Sequence, residues 1–212
     1  MSFTETIQQF AEAPLTKQLL LANLKEYSRP FDKINELVKQ GFLQPVKRGI
    51  FVPGTKLKMA QPEPFLLANH MHGPSYVSLE SALSYWGLIP ERVYETTSVT
   101  TTTSKKYNTP IGRFSFMRMP LPYYCFGVQQ VELTPKQHVM MASPEKAVCD
   151  QIIATSGIFL RSKKQTAAYL LEDMRMDEGL LRQMNLQNIS EWMTVAPKSS
   201  SIEMMVRTLE TL

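Results

Sequence analysis

The sequence YVSLESALSYWGLIP, residues 76–90, predicts a short helix with well-marked ends. Ser78 is a typical N-cap residue, and Gly87 and Pro90 follow the last expected turn. Apolar side chains recur at the i, i+3, i+4 and i+7 spacing of one helix face, namely Leu79, Ala82, Leu83 and Trp86. The chain before this helix is basic and helical, whereas the chain after it is rich in Thr and aromatic residues. We therefore expect the helix to help form the core of a second domain.

The positive charge of the chain is concentrated in its first 60 residues. These carry nine Lys or Arg against five Asp or Glu, and the resulting charge of +4 equals that of the whole chain. A basic field attracts polyanions, so this part is the candidate for contact with nucleic acid. A length of 212 residues corresponds to one or two domains. Because Pro62 and Pro64 indicate a linker, we expect domains at residues 1–60 and 61–212.

Two helical patterns joined by a tight turn precede Gly41. The first spans residues 16–27, and the second begins at Pro30, which suits the first position of a helix. The apolar face of the second helix is expected to hold Phe31, Ile34, Leu37 and Val38. Residues 42–52 then hold two β-prone runs on either side of Lys47-Arg48-Gly49, where the glycine permits the positive φ of a tight hairpin. A helix-turn-helix followed by a basic hairpin is typical of a winged helix DNA-binding domain.

In that geometry the second helix lies in the DNA major groove and the hairpin contacts the adjacent backbone. The candidates for DNA contact are then Arg29, Lys33, Asn35, Lys47 and Arg48. The alternative is that these side chains only solvate the surface of a three-helix domain. The charge, the turn and the hairpin coincide, which favours DNA binding over that alternative.

The chain beyond residue 90 predicts an α+β domain with a mostly antiparallel sheet and a helical C-terminal tail. Lys105 and Lys106 indicate a basic turn between two strands. The connections between residues 112 and 141 are short enough for hairpins and leave no room for crossover helices. The strands are expected at residues 93–104, 112–119, 123–126, 128–133 and 138–142.

A further helix is expected to begin after Ser143. Ser143 is a good N-cap and Pro144 suits the first helical position. We expect Glu145, Lys146 and Asp150 to point outward or to bond a neighbouring strand. The carboxylates of Glu145 and Asp150 could also belong to a nuclease site. Metal binding there would need a further, well-spaced group of carboxylates, and the sequence offers none, so a capped helix explains these residues better.

Motifs of several enzyme classes are absent from the sequence. It contains no glycine-rich phosphate loop, dinucleotide fingerprint, serine nucleophile elbow or paired-histidine zinc helix. His70 and His72 supply only two ligands, so no metal or cofactor is expected and the protein is not expected to be an enzyme. No apolar run is long enough for a membrane span and no signal-peptide pattern is present, so we expect a cytoplasmic protein with reduced, buried cysteines.

Three strings in a fixed order carry a resemblance to a known family. They are LVKQGFL at residues 37–43 with VKRGIFV at residues 46–52, the stretch at residues 76–90, and ASPEKA at residues 142–147. On these strings the chain resembles the AbiEi antitoxin family of type IV toxin-antitoxin systems, over about residues 15–155. The resemblance implies a winged helix-turn-helix that represses its own operon. It also implies a C-terminal domain that neutralises a nucleotidyltransferase toxin encoded alongside, with direct contact not required.

The resemblance does not identify the residues that act on the toxin. The candidates are basic clusters in the second domain, Lys105, Lys106, Arg161, Lys163 and Lys164, with a plain solvated surface as the alternative. Two other functions stay open. One is a ligand-sensing winged-helix transcription factor unrelated to a toxin, and the other is a nuclease targeted to DNA by its winged helix.

Overall fold

The computed structural model describes residues 3–10 and 12–212. Residues 1, 2 and 11 of the predicted N-terminal domain lie outside this part. The helices of the described chain are α1 (Phe3–Gln9), α2 (Lys17–Asn23), α3 (Pro30–Lys39), α4 (Pro64–Met71), α5 (Leu79–Tyr85), α6 (Pro144–Ala154), α7 (Lys163–Ala167), α8 (Glu178–Arg182), α9 (Leu186–Met193) and α10 (Ser199–Leu209). The strands are β1 (Leu15–Thr16), β2 (Leu43–Lys47), β3 (Ile50–Pro53), β4 (Ser75–Val77), β5 (Glu95–Thr100), β6 (Lys105–Thr109), β7 (Gly112–Arg118), β8 (Val128–Thr134) and β9 (Gln137–Ala142).

The N-terminal part packs α1, α2 and α3 against a small antiparallel sheet of order β1-β3-β2. Thr16 caps α2, because its hydroxyl accepts a hydrogen bond from the Leu19 amide at 3.2 Å. The β2–β3 hairpin turns at Arg48 and Gly49, and Gly49 has a φ of 86°. A separate apolar core holds this part together, formed by Ile7, Leu15, Leu20, Leu24, Ile34, Leu37, Leu43 and Leu57.

The second part is built on a six-stranded sheet of order β6-β7-β5-β4-β9-β8. Its antiparallel pairs are β6/β7, β4/β5 and β8/β9, and its parallel pairs are β5/β7 and β4/β9. The predicted α+β class with a mostly antiparallel sheet is thus confirmed. The parallel pairs were not predicted. The β5/β7 pair arises because β6 runs along the sheet edge and the chain returns as β7 between β6 and β5.

Two local predictions in this sheet were wrong. Residues 123–126 were expected to form a strand, but Tyr123–Cys125 form a short 3-10 helix. The amides of Tyr124 and Cys125 donate to the carbonyls of Pro120 and Pro122, so they are used in local turns and not in a strand ladder. Lys105 and Lys106 were expected in a turn but begin β6, because β5 already ends at Thr100.

Most helices of the second part pack into one large core. Leu79, Ala82 and Leu83 of α5 are buried there as predicted, while Trp86 is half-buried and donates its indole N–H to the Ala142 carbonyl at 2.9 Å. The predicted cap of α6 is confirmed by the Ser143 hydroxyl, which accepts from the Lys146 amide. The tail continues through α7, a π-helical segment (Ala168–Asp173), α8, α9 and α10. Within the described residues, no helix has both the length and the apolarity to cross a membrane.

A third apolar cluster joins the two parts of the chain. Phe114 and Phe116 of β7 pack in it, while Met117 of the same strand packs against the large core. The other buried members are Val46, Ile50 and Val52 of the hairpin together with Leu67, Ala68 and Met71 of α4. The hairpin therefore rests on the second part as well as on its own helices.

Candidate functional site

A groove of about 340 Å³ lies between α3 and the β2–β3 hairpin. Phe31 and Asn35 line it from α3, and Lys17 and Arg48 line it from the start of α2 and the hairpin tip. The Lys17 amide donates to the Gly49 carbonyl at 2.8 Å, which ties the start of α2 to the tip. Lys47 and Phe51 of the hairpin also line it, so the groove has three cationic side chains beside an amide and two phenyl rings.

The α3 residues predicted to contact DNA have different surroundings. Arg29 precedes the helix and is strongly exposed, with its guanidinium 3.9 Å from the Asp32 carboxylate. Lys33 is half-buried and pairs with Glu36 at 3.0 Å, so part of its charge is compensated. Asn35 is exposed and lines the groove. Of the three, Asn35 is the one that the fold directs to the groove.

The two basic hairpin residues are directed differently. Lys47 is half-buried, and its ammonium donates to the Met71 carbonyl of α4 while lying 5.3 Å from the centroid of the Tyr107 ring. Arg48 is exposed at the tip. Lys47 therefore anchors the hairpin to the second part, whereas Arg48 is accessible to a ligand. Sequence reasoning did not distinguish them, because the carbonyl that Lys47 binds lies 24 residues away.

The predicted basic clusters of the second domain fall in two separate places. Lys105 and Lys106 line a cavity of about 550 Å³ beside β5, β7, α5 and α6, together with Glu80 and Glu95. The other cluster surrounds the start of α7, where Arg161, Lys163 and Lys164 are exposed. The Lys163 ammonium donates to the Thr211 hydroxyl at 3.2 Å, which ties this cluster to the C-terminal end.

The two histidines expected to be too few for a metal site have different surroundings. His72 Nε2 lies 2.8 Å from the Thr103 carbonyl and 2.9 Å from the Thr102 hydroxyl, and its ring packs edge-on against Phe116. His70 is exposed, and its partial burial lowers its pKa. Within residues 3–10 and 12–212, no three His, Cys, Asp or Glu side chains are grouped as metal ligands.

A fully buried ionic cluster is the main feature that sequence reasoning missed. The Asp150 carboxylate accepts from the Lys146 ammonium at 2.8 Å, from Tyr123 at 2.7 Å, from Ser78 at 2.7 Å and from Tyr76 at 3.0 Å. The Lys146 ammonium also lies 3.1 Å from the centroid of the Tyr123 ring. Of the two predicted alternatives, the outward position is wrong, because both side chains have zero exposure. The bond to a neighbouring strand is confirmed for Asp150, which accepts from Tyr76 of β4.

The electrostatics of this cluster indicate a structural role. Burial, reinforced by Asp150, raises the pKa of Tyr76 and Tyr123 well above its usual value, so both hydroxyls remain donors. Burial lowers the pKa of Lys146, and the attraction of Asp150 opposes that effect. Each Asp150 oxygen receives two hydrogen bonds, so its acceptor capacity serves the protein itself.

The neighbouring polar groups show the same pattern. Glu145 is also buried, and its carboxylate accepts from the Ser143 hydroxyl and the Asn185 amide. The i, i+4 spacing of Lys146 and Asp150 was the one sequence signal that these two side chains could form an ion pair on the same helix. The partners that bury the pair come from 27 to 74 residues away along the chain, which no local pattern could reveal.

The two cysteines are free thiols in different surroundings. Cys149 is buried as expected, whereas Cys125 is exposed, contrary to expectation. Burial raises the pKa of the Cys149 thiol to about 12. Cys149 therefore stays protonated and inert at neutral pH.

The structure is similar to that of the protein RV2827C from Mycobacterium tuberculosis. The TM-score is 0.61 at 14% sequence identity, and the match covers 97% of this chain and 75% of the mycobacterial chain. At this identity the similarity concerns the fold alone. No family model matches the sequence. No curated protein matches it either.

Proposed function

We propose that the protein is a DNA-binding transcriptional autorepressor and antitoxin, in which residues 1–60 act as a winged helix-turn-helix. The observation that carries the DNA-binding part is the groove between α3 and the hairpin, with Lys17 and Arg48 beside the exposed Asn35. Three helices and a two-stranded hairpin in this order match the elements that a winged helix uses. Double-stranded DNA is therefore the proposed ligand.

The charges assign separate tasks to the groove residues. Cationic side chains that neutralise phosphates release counterions and provide affinity without sequence preference. Arg48 and Lys17 are exposed and fit this role. Lys47 does not fit it as well, because its ammonium already binds the Met71 carbonyl. In the proposed complex α3 enters the major groove and the hairpin tip follows the backbone.

The test is a salt titration of binding to labelled double-stranded DNA from upstream of the protein's own gene. Each lost phosphate contact reduces the slope of log K against log salt by about 0.9. We expect Arg48→Ala to lower the slope by this amount, and the matched hairpin variant Lys47→Met to leave it unchanged. A wild-type protein that does not bind this DNA, or an Arg48→Ala slope equal to that of the wild type, contradicts the proposal.

The antitoxin part of the proposal is supported by the resemblance of residues 76–90 and 142–147 to the AbiEi family. Its candidate surfaces are the cluster at Lys105 and Lys106 and the cluster at Arg161, Lys163 and Lys164. The test is growth of cells that express the neighbouring gene with and without this protein. We expect the wild type to restore growth. Arg48→Ala, which is designed to weaken DNA binding, should restore growth as well. Equal growth in all strains contradicts the antitoxin role.

A second candidate function is ligand sensing by the second domain, and the 550 Å³ cavity favours it. This volume is in the range of small-molecule sites. The lining of the cavity contains two cationic residues, Lys105 and Lys106, and two acidic residues, Glu80 and Glu95. Such a lining suits a small molecule that carries both charges. Free amino acids are the probe, and a rise in melting temperature that Glu80→Gln abolishes supports this function. No rise with any amino acid contradicts it.

A further inference from the structure

The groove-facing side of α3 carries one amide and one large apolar ring. Phe31 and Asn35 are four residues apart, which places them side by side on the helix. Phe31 is 52% exposed although it is one of the largest apolar side chains. The Lys17 ammonium lies 4.3 Å from the centroid of its ring, within the range of a cation–π contact. The ring is thus held at the groove although it is not part of the N-terminal core.

These two side chains have specific partners in the DNA major groove. An Asn amide forms two hydrogen bonds with adenine, at N6 and N7, and this pair distinguishes adenine from the other bases. A phenyl ring offers apolar contact to the 5-methyl group of thymine. Side chains at i and i+4 are about 5–6 Å apart. Base pairs are about 3.4 Å apart along the helix, so the two side chains reach neighbouring base pairs.

We infer that the groove recognises an A·T-containing step, in which Asn35 reads adenine and Phe31 contacts the methyl group of a neighbouring thymine. Lys17 holds the Phe31 ring and, with Arg48, neutralises the adjacent phosphates. This inference rests on the proposed DNA-binding function and adds its base preference. Asn35 and Phe31 are then the residues that determine specificity, while the cations provide affinity for any sequence.

Lys33 and Glu36 of α3 and the C-cap residue Gln40 make contacts away from the groove. Lys33 and Glu36 pair with each other, and the Gln40 amide donates to Glu36 at 2.8 Å. Gln40 lies at the opposite end of the helix from Phe31 and does not line the groove. It is exposed like Asn35 and carries the same terminal amide, so Gln40→Ala is a matched control at the C-cap of the same helix.

The first experiment selects binding sites for the full chain from a randomised 20-base-pair DNA library. We expect the wild-type motif to contain one position that requires adenine and a neighbouring position that requires thymine. Asn35→Ala should flatten the adenine position and bind the best site about 10-fold or more weakly. Gln40→Ala should reproduce the wild-type motif. Both residues are exposed, so circular dichroism spectra of the variants should match the wild type.

The second experiment removes a single methyl group from the DNA. Replacing the required thymine by uracil should weaken wild-type binding by about fourfold, since one buried methyl group is lost. Phe31→Ala should bind the thymine and uracil sites equally well. Arg48→Ala should keep the thymine preference while binding both sites more weakly.

The outcomes separate this inference from the proposal on which it rests. If the wild type retains no DNA from the library, both are overturned. If it retains DNA but Asn35→Ala keeps the adenine preference, the base assignment is overturned and DNA binding stands. A uracil effect that persists in Phe31→Ala overturns the methyl contact.

Discussion

Removal of Asp150 should destabilise the second part of the protein far more than removal of an exposed acid. In Asp150→Ala the Lys146 ammonium stays buried without its partner, and three hydroxyl groups lose their acceptor. Breaking a buried ion pair from one side costs about 3–5 kcal/mol. The unpaired hydroxyls add to this cost, so we expect at least about 4 kcal/mol to be lost. That is a large part of the about 5–15 kcal/mol by which a domain of this size is stable.

A matched control exists on α10. Glu203 and Arg207 form an ion pair with the same i, i+4 spacing at 2.6 Å, but both side chains are about half exposed. Exposed pairs of this kind contribute about 0.3–0.5 kcal/mol. Glu203→Ala should therefore leave the free energy of unfolding nearly unchanged.

The assay is urea unfolding followed by tryptophan fluorescence. Both tryptophans of the chain, Trp86 and Trp192, belong to the large core of the second part, so the signal reports the region that contains Asp150. Should Asp150→Ala fold too poorly to measure, Asp150→Asn retains an acceptor oxygen and should lose less. Adding Lys146→Met to Asp150→Asn should recover part of the loss, since no charge then stays unpaired. Equal effects of Asp150→Ala and Glu203→Ala would refute the reasoning.

Three further predictions concern single residues. The folded state keeps the Cys149 proton up to about pH 12, whereas the unfolded chain loses it near 9, so the free energy of unfolding should fall by about 1.4 kcal/mol per pH unit above pH 9. Buried tyrosines add their own slope near pH 10, so the slope of Cys149→Ala in urea titrations at pH 9–10.5 should be smaller than that of the wild type by about this amount. Gly127→Ala should lower the free energy of unfolding by about 1–3 kcal/mol, because the added Cβ would lie 2.8 Å from Lys146 Cβ and the backbone φ is 61°. An unchanged urea midpoint would contradict this close packing. Lys47→Met should cost about 1 kcal/mol in the same assay by losing the hydrogen bond to Met71, and stability equal to the wild type would argue against the anchor.

Helices with strong local sequence signals could be predicted. Ser143 and Pro144 marked the start of α6, and the apolar spacing of residues 76–90 marked α5, because caps and periodicity act within a few residues. The short connections between strands allowed the mostly antiparallel sheet to be predicted. The parallel β5/β7 and β4/β9 pairs could not be predicted, since strand order depends on the sheet edge to which the chain returns.

The side-chain roles were predicted less well than the elements. Ser78 stands at the N-cap position of α5, yet its hydroxyl donates to Asp150 and accepts no hydrogen bond from an amide of the helix. Lys47 and Arg48 are adjacent in the sequence, but only Lys47 meets a carbonyl from α4. Phe31 was assigned to the apolar face of α3, whereas it is exposed beside Lys17. In each case the deciding partner comes from a distant segment, which a local pattern does not contain.

The apolar cluster between the hairpin and β7 has a consequence for the order in which the chain folds during synthesis. Val46, Ile50 and Val52 emerge from the ribosome well before Phe114 and Phe116, which complete their packing. At about 5–20 residues per second, the interval between Val52 and Phe116 is about 3–13 seconds. During that time the hairpin has an uncovered apolar side, so the N-terminal part reaches its final stability only after the sheet of the second part has formed.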